Sequence, residues 1–183
     1  ESHRRATNAK FDDVIVPITT SVGVVSKDGC IRADSDSRSL ARLKPAFKSD
    51  GSVTAGTSSP LTDGAAFVLV CSEEFAQTQE LEILASIEST AVSGCSPELM
   101  GIGPVSATQK ALTRAGISLE EVDVIELNEA FAAQSLAVIE ELGLDVSKVN
   151  VDGGALALGH PLGASGARIV GRAATILASE DAK

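Results

Sequence analysis

The sequence predicts an α/β fold, helices layered on sheet, and three observations carry that prediction. A short, continuous apolar run at residues 64–71 (GAAFVLVC) has the length and composition of a buried strand, and 122–127 (VDVIEL) reads as another. Longer stretches at 105–115 and 129–142 read as helices, the second with its apolar residues near a 3.6 period, and they end at Gly116 and Gly143. The two kinds of element alternate along the chain, which implies layers of helix on sheet. With 183 residues and 44% hydrophobic side chains, the chain is large enough to bury the core of one domain, or of one domain and part of another.

Residues 1–50 are polar and irregular. Within them, 13–19 (DVIVPIT) predicts a short strand closed by Pro17, and 27–36 a charged loop. Residues 39–44 predict a short helix ended by Pro45, because the residue before proline avoids the helical region. Residues 51–60 (GSVTAGTSSP) are small and hydroxyl-rich, a composition that lets backbone come close to a ligand. After the strand at 64–71, Ser72 with Glu73 and Glu74 predicts a helix start, the serine as cap and the acids in the first turn. A domain boundary is expected near Gln79. Beyond it, 81–93 predicts one long strand, 149–151 a short strand feeding a glycine-rich loop at 153–166, and 167–178 a last helix. No internal repeat or low-complexity segment interrupts the chain.

Lys plus Arg number 15 against 25 Asp plus Glu, a net charge of −10. That balance argues against nucleic acid or an anionic membrane as partner. With no Trp or Tyr and five Phe, there is no stacking platform for single-stranded nucleic acid. No apolar run has the length a bilayer span needs. Cys30, Cys71 and Cys95 are odd in number and form no CxxC pair, which disfavours a disulfide framework or a zinc site and favours a reducing compartment. No metal site is expected. Cys71 reads as a small hydrophobe ending a buried strand, Cys30 as a loop residue and Cys95 as inert. The chain begins at Glu1 and its one methionine is Met100, so it reads as the middle of a longer protein.

Two junctions concentrate the polar chemistry. At Asn128-Glu129-Ala130-Phe131 a predicted strand gives way to a predicted helix, at the sheet edge where α/β proteins hold ligands. The same position also suits Asn128 as a plain helix N-cap. In the loop at 153–166, His160 is framed by Gly159 and Pro161 and is the side chain able to shuttle protons near neutral pH. Two other readings of this loop stand beside a catalytic one. A phosphate-binding loop would need a Gly-Lys-Ser/Thr ending, or GxGxxG after a strand, and neither is matched. A buried histidine satisfied by backbone would need no chemistry at all.

At these residues a family resemblance becomes specific. NEAFAAQ (128–134) and VNVDGGALALGHPLGASGARI (149–169) resemble the signature of the thiolases. LARLKPAFKSDGSVTAGTSSPLTDGAA (40–66) and GIGPVSATQKAL (101–112) resemble the same family at the corresponding places, in the right order. The resemblance implies a layered α-β-α-β-α architecture of two similar halves, with a loop domain inserted in the first. Residues 1–50 would be the tail of that loop domain, 51–79 the end of the N-terminal half, and 80–183 the C-terminal half lacking its last strands.

The resemblance further implies ping-pong acyl transfer on acetyl-CoA or 3-ketoacyl-CoA. The nucleophilic cysteine would lie before Glu1 and a second catalytic cysteine after Lys183, so the 183-residue chain alone is expected to be inactive. His160 would activate the nucleophile and help bind the thioester oxygen, and Asn128 would hold a water completing that oxyanion hole. Ser59, Ala55, Phe47, Ala130 and Phe131 match residues along the coenzyme A channel, although Phe47 and Phe131 suit core packing as well. Coenzyme A and acyl-CoA enter as substrates, and no cofactor is bound covalently. The parent is expected to be a homodimer or homotetramer, cytoplasmic in a bacterium and mitochondrial or peroxisomal in a eukaryote. The segment TSSP at 57–60 departs from the family's commoner wording, which bears on acyl-chain preference. The alternatives are a non-catalytic thiolase-like fragment that binds coenzyme A weakly or serves in assembly, and, more weakly, a nucleotide-binding module.

Overall fold

The computed structural model describes residues 1–12 and 14–180. Its helices are α1 (Ser2–Asn8), α2 (Ser37–Leu40), α3 (Glu73–Thr78), α4 (Gly103–Ala115), α5 (Ala132–Leu142), α6 (Ala155–Leu158) and α7 (Leu162–Glu180). Among the described residues the one sheet is a hairpin, β1 (Ile18–Thr20) antiparallel to β2 (Gly23–Val25). Its turn is tied by the Thr20 hydroxyl, which donates to the Gly23 carbonyl at 2.7 Å.

Several helices follow from local signals. Ser72 caps α3, its Oγ accepting from the Phe75 N–H at 3.2 Å, with Glu73 and Glu74 in the first turn. Helix α4 begins with Pro104 in its first turn and stops at Gly116, whose φ of +70° is the left-handed conformation that glycine adopts without a Cβ penalty. Helix α5 stops the same way at Gly143 (φ +65°).

Other elements differ from the sequence expectation. The first 50 residues are not irregular throughout, because SHRRATN forms α1. This helix has one buried apolar anchor, Ala6, too little for a periodicity to register. It is held from outside: α1 packs on α6, and the Arg5 guanidinium donates to the carbonyls of Val146, Val149 and Asn150. The strand expected at 13–19 is shifted to Ile18–Thr20, beyond Pro17; Asp13 lies outside the described residues. Helix α2 starts at a capping box on Asp36 and ends at Leu40, before 41–45 turn toward the isolated Pro45–Thr54 bridge. The last helix starts at Leu162 rather than 167, and the glycine-rich loop holds a further turn, α6.

The expected strands at 64–71 and 81–93 have no regular secondary structure and make no ladder with any described residue. Their side chains face solvent instead of a core: Phe67 is 95% and Val92 88% exposed. Cys71 is exposed too, contrary to its reading as a buried hydrophobe. The expected strands at 122–127 and 149–151 meet in a single parallel bridge, Ile125 to Val149. There Ile125 donates to the Lys148 carbonyl at 2.9 Å and Asn150 to the Ile125 carbonyl at 2.8 Å. Strand chemistry without a partner strand does not make a sheet.

The core is small and sits where these pieces converge. Val138 on α5, Leu144, Val149, Ala155 and Ala157 on α6, and Ala164 and Ile176 on α7 are buried. Small side chains dominate it, so backbones approach closely around α6. That close approach brings the two polar junctions together.

Candidate active site

The Asn128 junction is extended, not helical. Phe131 has φ −142° and ψ 143°, and α5 begins only at Ala132. The physical reason is pairing: Phe131 bridges Ser58 antiparallel, and the Ser59 N–H donates to the Ala130 carbonyl at 3.0 Å. The helix therefore starts three residues later than its apolar pattern suggests, and Asn128 is not its N-cap. Its side chain is left free to face the second junction.

There, Asn128 Nδ2 lies 3.3 Å from His160 Nε2. His160 Nδ1 lies 2.6 Å from Ser165 Oγ, and Ser165 Oγ donates to the Pro161 carbonyl at 3.1 Å. A hydroxyl has one hydrogen. With that hydrogen on the Pro161 carbonyl, Ser165 accepts from His160, and the pattern assigns the imidazole proton to Nδ1. Nε2 then carries a lone pair and accepts from the Asn128 amide. The pair thus presents a base at Nε2 and, beside it, the Asn128 carbonyl oxygen, which is buried with no donor among the described residues. A buried acceptor without a donor costs about 1–3 kcal/mol, so a ligand or water donor there would be stabilised.

Two glycines are required for space. At Gly159 (φ +86°) a Cβ would come within 2.5 Å of the Thr62 side chain, and at Gly64 one would come within 2.8 Å of Pro161. Residues 58–64 therefore lie across both junctions, touching 130–131 on one side and 159–161 on the other. Ser59, Ala130 and Phe131 are brought together with Asn128 and His160. Phe47 and Ala55 are not: Phe47 is 77% exposed beside a surface concavity of about 500 Å³ lined also by Lys48, Asp50 and Val53. Ala55 is exposed and opens a turn at Ala55–Thr57 that Thr54 and Thr57 cap reciprocally. A second concavity, of about 290 Å³, lies between α1 and 147–152. Neither includes His160 or Asn128, which are both half-buried.

The same half of the chain holds charged groups that the sequence did not flag. Glu126 is largely buried and both its oxygens lack a described hydrogen-bond donor. Burial pushes its carboxyl up to about 7, against the lowering pull of Arg168 and Arg172. Burial likewise lowers Arg168. Arg172 is engaged by Asp152 and lies 5.6 Å from the centroid of the Phe11 ring. Ser165, Thr62 and Asn150 also escaped the sequence reading. Ser165 carried one usable signal, its place five residues after His160 at the start of a helix, where its side chain turns back on the imidazole.

Among the described residues no group of His, Cys, Asp and Glu could hold a metal ion, and no helix is long and apolar enough to cross a membrane. Cys30 is half-buried and Cys95 exposed. Among the described residues no cysteine sulfur hydrogen-bonds to His160 or Asn128.

The chain matches two family models, Thiolase, N-terminal domain over residues 1–74 and Thiolase, C-terminal domain over residues 81–183. It is 50% identical over 179 residues to an acetyl-CoA acetyltransferase of Chromobacterium violaceum, which covers 93% of this chain and 46% of that protein. To a 3-ketoacyl-CoA thiolase of Aliivibrio fischeri it is 51% identical over 178 residues, with 92% and 46% covered. The crystal structure of the Bacillus anthracis acetyl-CoA acetyltransferase superposes with a TM-score of 0.94 at 47% identity, over 100% of this chain and 48% of that one. That of human mitochondrial 3-ketoacyl-CoA thiolase in complex with CoA does so at 0.92 and 42%, over 100% and 47%. The chain thus spans about half the length of the relatives it matches.

Proposed function

Because this chain belongs to the thiolase family and shares its α/β fold, we propose that the gene product is an acyl-CoA C-acyltransferase in which His160 and Asn128 form one half of the reaction centre. The observation that supports this most is the polarity of the pair: an imidazole whose Nδ1 is held by Ser165 and whose basic Nε2 meets the Asn128 side-chain amide at 3.3 Å, a contact that an incoming thiol would replace. The nucleophile is a cysteine thiol from outside these 183 residues. His160 Nε2 takes the thiol proton, and the thiolate attacks the carbonyl carbon of a 3-ketoacyl-CoA. The protonated Nε2 then faces the oxygen on which charge develops. A donor so preset lowers the barrier by about 3 kcal/mol. Asn128 adds a second donor through a bound water that its carbonyl oxygen orients.

Collapse of the adduct breaks the carbon–carbon bond and leaves the acyl group on the cysteine. A second cysteine, also outside this chain, protonates the departing acetyl-CoA carbanion. The second cysteine, now a thiolate, takes the proton of free coenzyme A; the coenzyme A thiolate takes the acyl group, and His160 returns its proton to the departing cysteine sulfur. Ser59, Ala130 and Phe131 wall the approach of the pantetheine, and Phe47 and Ala55 extend that wall outward. Lys48 beside Phe47 offers the cation that a phosphate needs in a chain of net charge −10.

On the same reading, residues 1–50 close the inserted loop domain, 51–79 close the N-terminal half, and 80–183 belong to the C-terminal half of a homodimer or homotetramer. Binding of CoA by the human relative supports coenzyme A as the ligand class. The 183-residue chain alone has no turnover, since none of its cysteines serves as the nucleophile. The test is steady-state thiolysis of acetoacetyl-CoA by the gene product at its natural length, with both substrates varied. Parallel reciprocal plots support acyl-enzyme transfer; intersecting plots, or turnover by the 183-residue chain, contradict it.

A further inference from the structure

We propose that Glu129 is a positioning residue whose buried carboxylate sets the spacing between Asn128 and His160; the proposal rests on reading those two as the acyl-transfer pair. Glu129 is 8% exposed. Its Oε1 accepts from Asn150 Nδ2 at 3.0 Å and its Oε2 from the Leu156 N–H at 3.1 Å. The Ser2 hydroxyl is shared between both oxygens at 2.8 and 2.9 Å. One carboxylate thereby joins three segments: the strand end that carries Asn128, the first turn of α6 that leads into His160, and α1.

Each connection bears on the pair. Glu129 follows Asn128 directly, so anchoring its side chain fixes the direction in which Asn128 points. Leu156 is four residues before His160, and its N–H is one of the donors at the start of α6 that the helix itself leaves without a partner. Asn150, 3% exposed and with φ +48°, completes the frame. Its Oδ1 accepts from the Leu127 N–H and its Nδ2 donates to the Leu127 carbonyl, both at 2.8 Å, so a side-chain amide substitutes for a neighbouring strand. Gly154 is required by the clamp: a Cβ there would come within 2.4 Å of Glu129 Cδ, although its φ of −121° suits any residue.

A carboxylate fits this place because every partner is a donor. Glutamine keeps the size but not the pattern. Its one amide oxygen satisfies either Asn150 or Leu156, and its NH2 then opposes a donor at the other position. One of the two connections opens, and Asn128 or His160 shifts relative to the reacting carbonyl. Misplacement of about 1 Å costs on the order of 100-fold in rate while leaving remote binding contacts intact.

The test compares Glu129→Gln, Glu129→Asp and His160→Ala with the unsubstituted gene product at its natural length, measuring kcat and KM for acetoacetyl-CoA thiolysis well below the unfolding temperature. The expected result for Glu129→Gln is a kcat lowered roughly 10- to 100-fold with KM within about twofold. Glu129→Asp, which keeps the acceptors but is one methylene shorter, is expected to lie between it and the unsubstituted enzyme. Should Glu129→Gln fail to fold, Glu129→Asp carries the test, and a kcat lowered at least threefold at unchanged KM supports the clamp. A folded Glu129 variant with unchanged kcat, or one that loses kcat and KM together through substrate binding alone, overturns it. His160→Ala separates the two levels: its retention of activity removes the acyl-transfer reading itself, whereas its inactivity beside a fully active Glu129→Gln removes only the clamp.

Discussion

The side-chain amide of Asn128 and the imidazole of His160 meet at 3.3 Å although 32 positions separate them in sequence. Neither residue reaches the other through its own helix or strand. Asn128 sits at the end of an extended segment paired with 58–59, and His160 in the short connection between α6 and α7. What places them together is polar framing by Asn150, Glu129 and Ser165, set around a core of small side chains.

Ser165 is expected to govern which nitrogen of His160 carries the proton. Ser165→Ala removes the acceptor at Nδ1, and a lost hydrogen bond of about 1 kcal/mol lets the other tautomer become populated. The expected outcome is a kcat lowered roughly fivefold with KM unchanged. In ¹⁵N spectra of the imidazole the protonated signal should move in part from Nδ1 to Nε2. An unchanged spectrum would mean that Ser165 does not set the tautomer.

Glu126 makes stability depend on pH in a direction opposite to most carboxylates. Its folded pKa, about 7, lies above the ordinary 4.5, so the folded state holds a proton that the unfolded chain releases. The stability it contributes is full below pH 4.5 and declines as pH rises to about 7, by about 3 kcal/mol at most. Glu126→Gln should abolish that slope in denaturant titrations at a series of pH values. Arg168→Met should raise the Glu126 midpoint further, because Arg168 pulls it down. A carboxyl ¹³C titration of Glu126 with a midpoint near 4.5 would contradict the burial argument.

The stretches 64–71 and 81–93 present exposed apolar side chains and backbone without ladder partners among the described residues. Exposed apolar stretches with unpaired backbone associate. The isolated 183-residue chain is therefore expected to sediment as oligomers and to bind a hydrophobic dye. A monomer with a single cooperative unfolding transition would show that these stretches find cover within the chain.

Gly154→Ala is expected to cost about 1–3 kcal/mol of stability, since the added methyl overlaps the buried Glu129 carboxylate. Gly163→Ala, where a Cβ meets nothing within 4 Å, is the matched control. Thermal unfolding of the two variants, measured side by side, checks the difference.

How much of this was legible beforehand depended on the range of the signal. Helices α4 and α5 were readable from their glycine stops and the Ser72 cap from the acids behind it, because those signals act within a few residues. His160 and Asn128 stood out through residue type and setting. The start of α5 was misread since the pairing of Phe131 with Ser58 is nonlocal and overrides helical propensity. The strands at 64–71 and 81–93 were chosen on composition, but a strand exists only with a partner, which composition does not supply. Asn150 and Glu129 gave no sign of their roles, because a buried amide and carboxylate acquire meaning from three segments that only folding brings together.

The most direct measurement is the mass of the gene product, at its natural length, after brief mixing with acetoacetyl-CoA and acid quench. The unsubstituted protein is expected to gain one acetyl group on a cysteine within the dead time. His160→Ala should gain it roughly 100- to 10,000-fold more slowly, the usual loss on removing a general base, while binding coenzyme A with unchanged affinity. Acetylation of His160→Ala at the unsubstituted rate would contradict the assignment of His160 as the group that activates the nucleophile.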